Sequence, residues 1–328
     1  MYKWISALIG GLALTACAVS TENRPVSQAG PLDKYASLTS VTSPELLNAG
    51  KGRLYEFLSC LKQNNIAIVG AHRAGARPEF PENALSSMDR VSSDIPVFIE
   101  TDVQMSKDGV LFMHHDNDLS RTTTGKGDLR ELNWSEISAL SLRDPTGRPT
   151  DDHPERLVDI LKWAHGRAIL LLDVKPATDI AKVIEAVGSV YAEDRVMYIV
   201  YRPEQALRAR EVDPDAVLAV PLVRRELFEN FKNADILKEN IIGMARVSGA
   251  DQALVSDIKK SGVLIMSGAY GNKSSADALY SGLQDALHYH ALVERGASLV
   301  VSNRPYKAVE AMSVYPGYRN KLTACGVD

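Results

Sequence analysis

The chain has 328 residues, 45% hydrophobic and 24% charged, enough to bury a large core in one domain or two. Its net charge of -4, with no arginine-rich stripe, provides no field for nucleic-acid phosphates, so nucleic acid is not an expected partner.

The amino terminus reads as an export segment. Lys3 precedes an apolar run, Trp4 to Leu14, that has signal-peptide length but is too short to span a bilayer as a helix. It ends in Leu14-Thr15-Ala16-Cys17, which resembles a bacterial lipoprotein signal. The resemblance implies that residues 1–16 are a signal peptide and that Cys17 becomes the lipidated first residue, a membrane anchor. An ordinary secretory signal is the alternative, and both readings export the chain. Ala18 stands where an aspartate would mark inner-membrane retention in a Gram-negative cell, so the resemblance implies an outer-membrane location facing the periplasm. The stretch from Ala18 to Ser43 is rich in Ser, Thr, Pro and Ala without periodicity, so residues 17–45 are expected to be a flexible tether and 46–328 the folded domain. Cys60 and Cys325 then remain. An oxidising compartment permits them to bridge and equally permits free thiols, and two isolated cysteines are not a metal-ligand spacing.

Leu46, Leu47, Leu54, Phe57, Leu58 and Leu61 recur at roughly helical spacing and predict a helix ahead of the first strand. Eight apolar runs follow: Ile66 to Ala71, Val97 to Val103, Ala168 to Val174, Val196 to Tyr201, Ala216 to Val223, Ile241 to Val247, Val263 to Ser267 and Ser298 to Ser302. Helical patterns separate them, among them Arg156 to His165, Asp179 to Val190, Glu204 to Val212 and Ala276 to Arg295. Near-continuous Val/Ile/Leu strands alternating with helices predict an α/β fold, a closed (β/α)8 TIM barrel. The stretch from Val103 to Arg156 is too long for one helix. Its Asp108-Gly109 turn, apolar Val110 to Met113 and His114-His115 predict a hairpin and an inserted segment after the second strand, over the barrel mouth.

Barrel active sites lie at the carboxyl ends of the strands, where His72, Glu100, Asp102, Asp173 and Lys175 all fall; His115 would fold back over the same mouth. Glu100 and Asp102, two apart on one strand, point to one face and can offer oxygen ligands to a hard divalent cation, Ca²⁺ or Mg²⁺, with Asp173 as a third. Alternation along the strand turns His114 away from the face His115 uses. His153, His165, His288 and His290 are expected at the surface.

The ordered set Ala71-His72-Arg73-Ala74, Pro81-Glu82-Asn83, Glu100-Thr101-Asp102, His115-Asp116 and Arg121-Thr122-Thr123 resembles the glycerophosphodiester phosphodiesterase family, from about His72 to Lys175 and more loosely to Pro305. The resemblance implies a metal-dependent enzyme that hydrolyses a small-molecule phosphodiester to glycerol 3-phosphate and an alcohol. His72 and His115 match its catalytic acid-base pair. Arg73 and Lys175 could hold the non-bridging phosphate oxygens, or could simply balance the acidic cluster. Glu82 and Asn83 match the family turn and are expected to shape the mouth or touch the metal. The family usually has glutamate in an Asn-x-Glu-x-Lys segment, whereas this chain has Leu171-Leu172-Asp173-Val174-Lys175, with a shorter side chain at the third metal position. Ala74 replaces a usual glycine, which predicts that the backbone there needs no positive φ. Ser302-Asn303-Arg304-Pro305 resembles the closing motif and is read as scaffold. Two rival readings are a related phospholipase D-like barrel acting on intact lipids and a non-catalytic ligand-binding lipoprotein.

Overall fold

Short buried segments of Val, Ile, Leu and Ala become strands here because both faces are covered, by helices outside and by side chains within. The structure, a computed structural model, describes residues 43–50, 52–248 and 251–327. The strands are β1 (Ile68–Ala71), β2 (Val97–Met105), β3 (Leu111–Met113), β4 (Leu170–Val174), β5 (Val196–Ile199), β6 (Leu218–Pro221), β7 (Ile241–Met244), β8 (Leu264–Gly268) and β9 (Leu299–Ser302). All but β3 are parallel, in the order β1-β9-β8-β7-β6-β5-β4-β2, and a β1–β2 pairing closes the cylinder. This is the expected eight-stranded barrel. Its interior is tightly filled: a Cβ on Gly70 would come within 2.3 Å of the Phe98 ring on the neighbouring strand, so only glycine fits there.

β3 pairs antiparallel with the far end of β2, in the register Val103 to Met113, across a turn at Gly109 with φ 86°. Phe112 of β3 packs with Leu119, Leu129 and Ile137 of the chain beyond it in a small core of their own, on either side of the His114-His115 segment.

Two helix expectations need correction. The pattern from Leu46 to Leu61 forms two helices, Ser43–Gly50 and Leu54–Gln63, parted near Gly52, whose φ of 69° no helix accommodates. The expected helix from Ala276 to Arg295 is likewise broken, into Ala276–Leu279, a 3₁₀ turn at Leu283–Asp285 and Leu287–Glu294. Here Gly282 is fully extended, and the Ser281 amide and hydroxyl both donate to the Asp285 carboxylate, a local bond that competes with the helix ladder.

Ser43 docks the first described helix by donating to the Ile95 carbonyl at 2.8 Å and accepting from the Val97 amide at 3.0 Å, at the amino end of β2. Cys60 and Cys325 are joined in a disulfide that ties the helix Leu54–Gln63 to the chain end. Lys62, two residues on, donates to the Gly262 and Val263 carbonyls just before β8, so this staple lies at the amino ends of the strands, opposite the mouth.

Candidate active site

The β2 pleat sends Glu100 and Asp102 to one face, and the β2–β4 register sets Asp173 beside Asp102. All three are buried, and their ligand oxygens lie within 4.8 Å of one another. Lys175 brings its Nζ to 2.6 Å from both Asp102 Oδ1 and Asp173 Oδ2. The Tyr201 hydroxyl donates to Asp173, 2.7 Å from Oδ1 and 2.8 Å from Oδ2. Asn83 donates to Asp102 Oδ2 at 2.8 Å while its Oδ1 accepts from the Asp102 amide at 3.0 Å and the Thr101 hydroxyl at 2.8 Å. It therefore holds Asp102 from two sides. The Arg73 amide donates to Glu100 Oε2 at 2.8 Å.

Burial, then the charges of Asp102 and Asp173, push the Glu100 carboxyl well above its ordinary range. Burial also raises Asp173, and Lys175 only partly opposes it. For Asp102 burial acts upward too, but Lys175 and the surrounding donors outweigh it and hold it low. Burial would lower Lys175, but Asp102 and Asp173 outweigh it and keep the ammonium charged. Three carboxyl groups thus crowd around one ammonium, and the all-oxygen donor set fits a hard divalent cation.

His72 follows β1 in a turn where Arg73, Ala74 and Gly75 have φ of 49°, 64° and 68°. The expectation for Ala74 is therefore overturned: the backbone does need positive φ, and alanine bears the strain the usual glycine avoids. The turn aims the Arg73 amide inward at Glu100 and leaves the His72 ring at the mouth. His72 Nδ1 lies 2.6 Å from Asn303 Oδ1, its ring stacks on Tyr270 with centroids 4.3 Å apart, and Nε2 is 3.9 Å from Glu100 Oε2. Burial lowers its pKa, against the opposing pull of the Asn303 bond.

His115 comes from beyond β3 and sets Nδ1 2.5 Å from Asp116 Oδ1. Arg121 Nε donates to Asp116 Oδ2 at 2.5 Å, and its two Nη atoms fork onto Glu82 at 2.8 and 2.7 Å. Burial opposes ionisation of Asp116, but these bonds outweigh it and hold the carboxyl far below its usual range. His114 is buried next to Phe112, its Nε2 without a hydrogen-bond partner among the described residues. His153, His165 and His288 are exposed. His290 is not: its Nε2 accompanies the Ala311 carbonyl at 2.8 Å under the Tyr315 ring, because its helix turns that face onto Pro305–Ser313. Arg73 points at Glu82, 3.2 Å from Nη1, and Asp102, 3.7 Å from Nε, so Arg73 and Lys175 both balance acidic groups in this structure.

Sequence reasoning missed Tyr201, Tyr270 and Asn303, and reading 302–305 as scaffold overlooked the Asn303 bond to His72. One signal was available: Tyr201 closes a predicted strand, Asn303 directly follows β9, and Tyr270 lies just past β8, all at the carboxyl ends.

A parallel barrel with a buried acidic cluster and two histidines at its carboxyl rim is a site suited to a hard cation and to proton transfer. Residues 72–266 match the model of the glycerophosphoryl diester phosphodiesterase family, and the chain belongs to that family. It is 27% identical to glycerophosphodiester phosphodiesterase 1 of Homo sapiens over 173 residues, 50% of this chain and 51% of that protein. It is also 27% identical to a glycerophosphodiester phosphodiesterase of Bacillus altitudinis over 163 residues, 46% of this chain and 65% of that one. The chain thus spans about half the length of the first of these relatives. Among solved structures, a glycerophosphoryl diester phosphodiesterase from Parabacteroides distasonis superposes with a TM-score of 0.66 at 23% identity, covering 87% of this chain and 93% of that one. An Oleispira antarctica phosphodiesterase in complex with the product sn-glycerol-3-phosphate gives 0.60 at 21%, covering 76% and 98%. At these identities the two structures speak for the fold.

Proposed function

We propose that this protein hydrolyses glycerophosphodiesters to glycerol 3-phosphate and an alcohol. The observation that carries the reading is the gathering of Glu100, Asp102 and Asp173 at one mouth with His72, on a chain of this family. Glu100, Asp102 and Asp173 would hold Ca²⁺ or Mg²⁺, which when bound neutralises charge on the phosphoryl oxygens. Arg73 and Lys175 would supply further positive charge to those oxygens.

Asn303 Oδ1 accepts from His72 Nδ1, leaving the Nε2 lone pair free to take the proton of a neighbouring substrate hydroxyl. As that oxygen bonds to phosphorus, the bond to the leaving alkoxide breaks and His115 donates the proton the alkoxide needs. His115 suits this role because its other nitrogen faces the Asp116 carboxylate, whose charge complements a protonated ring. Water then opens the cyclic phosphate with the roles reversed. The test is release of glycerol 3-phosphate from glycerophosphocholine, glycerophosphoethanolamine and glycerophosphoglycerol with each cation. No release from any of them would sink the reading.

The export signal at 1–16, the lipidated Cys17 and the tether to residue 45 fall on or next to residues outside those described, apart from Ser43, Pro44 and Glu45 in the first helix. We infer a lipid-anchored protein of the cell envelope, on the outer membrane facing the periplasm. The Cys60–Cys325 disulfide supports export, since such bonds persist in oxidising compartments. No helix among the described residues is long and apolar enough to cross a membrane. Cys17→Ser should move the protein from membranes to the soluble exported fraction, and unchanged membrane partition would reject the anchor.

A further inference from the structure

The two histidines stand on arms that leave the barrel at different strands, His72 after β1 and His115 after β3. For both to act on one phosphodiester, the arms must keep a fixed separation. The ladder β1–β2–β3 sets the strands, but both rings lie beyond the strand ends, where the backbone pairing has stopped. Side chains must supply the rest.

They do so in a continuous chain of opposite charges. Arg73, next to His72, reaches Glu82 at 3.2 Å; Glu82 takes the fork of Arg121 at 2.7 and 2.8 Å; Arg121 Nε reaches Asp116 at 2.5 Å; and Asp116 holds His115 Nδ1 at 2.5 Å. Arg121 is the central link. It occupies both carboxylate oxygens of Glu82 and the Asp116 oxygen that His115 does not use. With Nε and both Nη atoms committed to carboxylates, its guanidinium fixes the plane of the Asp116 carboxyl and with it the tilt of the His115 ring.

We propose that Arg121 is a positioning residue for catalysis, setting His115 through Asp116 and locking the His115 arm to the His72 arm through Glu82 and Arg73. This rests on the hydrolase reading above. Arg121 is half-exposed and its ion pairs are open to screening, so its value to folding is modest while its value to alignment is large. A lysine in its place keeps the charge but cannot fork onto Glu82 and reach Asp116 at once.

The test compares wild type with Arg121→Met, Arg121→Lys, Asp116→Asn and the double variant Asp116→Asn/Arg121→Met, on glycerophosphocholine with saturating Mg²⁺. Arg121→Met should lower kcat on the order of 10²-fold with KM within about twofold, the scale of a catalytic group displaced by an ångström. Arg121→Lys should recover little of it. The double variant should be hardly slower than Asp116→Asn alone, because both changes break one path. Unchanged kcat, a loss confined to KM, full rescue by lysine, or losses that multiply in the double variant would each overturn the proposal. If wild type turns over no substrate, the hydrolase reading fails by itself, and the positioning claim is read by proton NMR instead. The His115 Nδ1–H resonance should be present at low field in wild type and lost or broadened in Arg121→Met, and its persistence in that folded variant would reject the claim.

Discussion

Asn303, the first residue past the last barrel strand, accepts a hydrogen bond from His72, the first residue past the first strand, at 2.6 Å. They lie 231 positions apart and meet only because β9 pairs with β1, Ser302 opposite Ala71. Asn303 is itself held by the buried Asp277, whose carboxylate accepts from the Asn303 amide at 2.8 Å and the Ser302 hydroxyl at 2.6 Å. Asn303→Ala should therefore lower kcat by about tenfold or more with KM little changed, as the His72 ring loses its alignment. Asn303→Asp should favour the protonated ring and move the acidic limb of the kcat/KM profile to higher pH. Wild-type kinetics and pH profile in both variants would show that Asn303 is scaffold after all.

Replacing His72 or His115 with alanine should cut turnover by about 10²- to 10⁴-fold, the scale of general acid-base catalysis, with thermal unfolding near wild type. His114 differs in kind, since it is buried beside Phe112 and none of its ring contacts among the described residues is to a site residue. His114→Ala should lower stability by about 1–3 kcal/mol through a packing void while the folded fraction keeps near-normal kcat. A larger loss of kcat at His114 than at His115 would reverse the assignment.

Chelation should abolish turnover and readdition of Mg²⁺ or Ca²⁺ should restore it; full activity after exhaustive chelation would exclude cation dependence. The same cluster predicts a pH-dependent stability. Because Glu100, and Asp173 with it, titrate above the ordinary carboxylate range, the folded metal-free protein holds protons that the unfolded chain has already released. Their stabilising contribution is complete below the ordinary carboxylate pKa and is lost as pH rises through the raised values. Asp102, held low by Lys175, acts in the opposite sense, losing stability as pH falls below the ordinary range. A bound dication favours the ionised carboxylates, so the gain in Tm on adding it should grow as pH rises above the ordinary carboxylate range. A gain independent of pH there would argue against these ligands.

The disulfide closes a loop with a sequence separation of 265 at the end of the barrel away from the mouth. Replacing both Cys60 and Cys325 with serine should lower unfolding free energy by about 2–4 kcal/mol and leave kcat and KM at permissive temperature unchanged. Loss of activity in the still-folded variant would show that the two ends of the barrel are coupled.

Much of this architecture is legible in one dimension because it depends on local period. Alternating apolar runs and helical patterns imply a parallel barrel, and the two-residue repeat of a strand puts Glu100 and Asp102 on one face. The break at Gly282 and the positive φ of Ala74 were less legible, since a local bond to Asp285 and the aim of the Arg73 amide at Glu100 set them. What only the tertiary structure decides is which strand ends become neighbours. Strand pairing around the barrel brings Asn303 and Tyr270 to His72 and, between β4 and β5, sets Tyr201 on Asp173, while packing outside it joins Cys60 to Cys325. Each is a contact between distant segments whose partners carry no periodic signal. Residue type and spacing name the groups able to do the chemistry, while the hydrogen bonds that orient them depend on distances of a few ångströms that exist only after the sheet has closed.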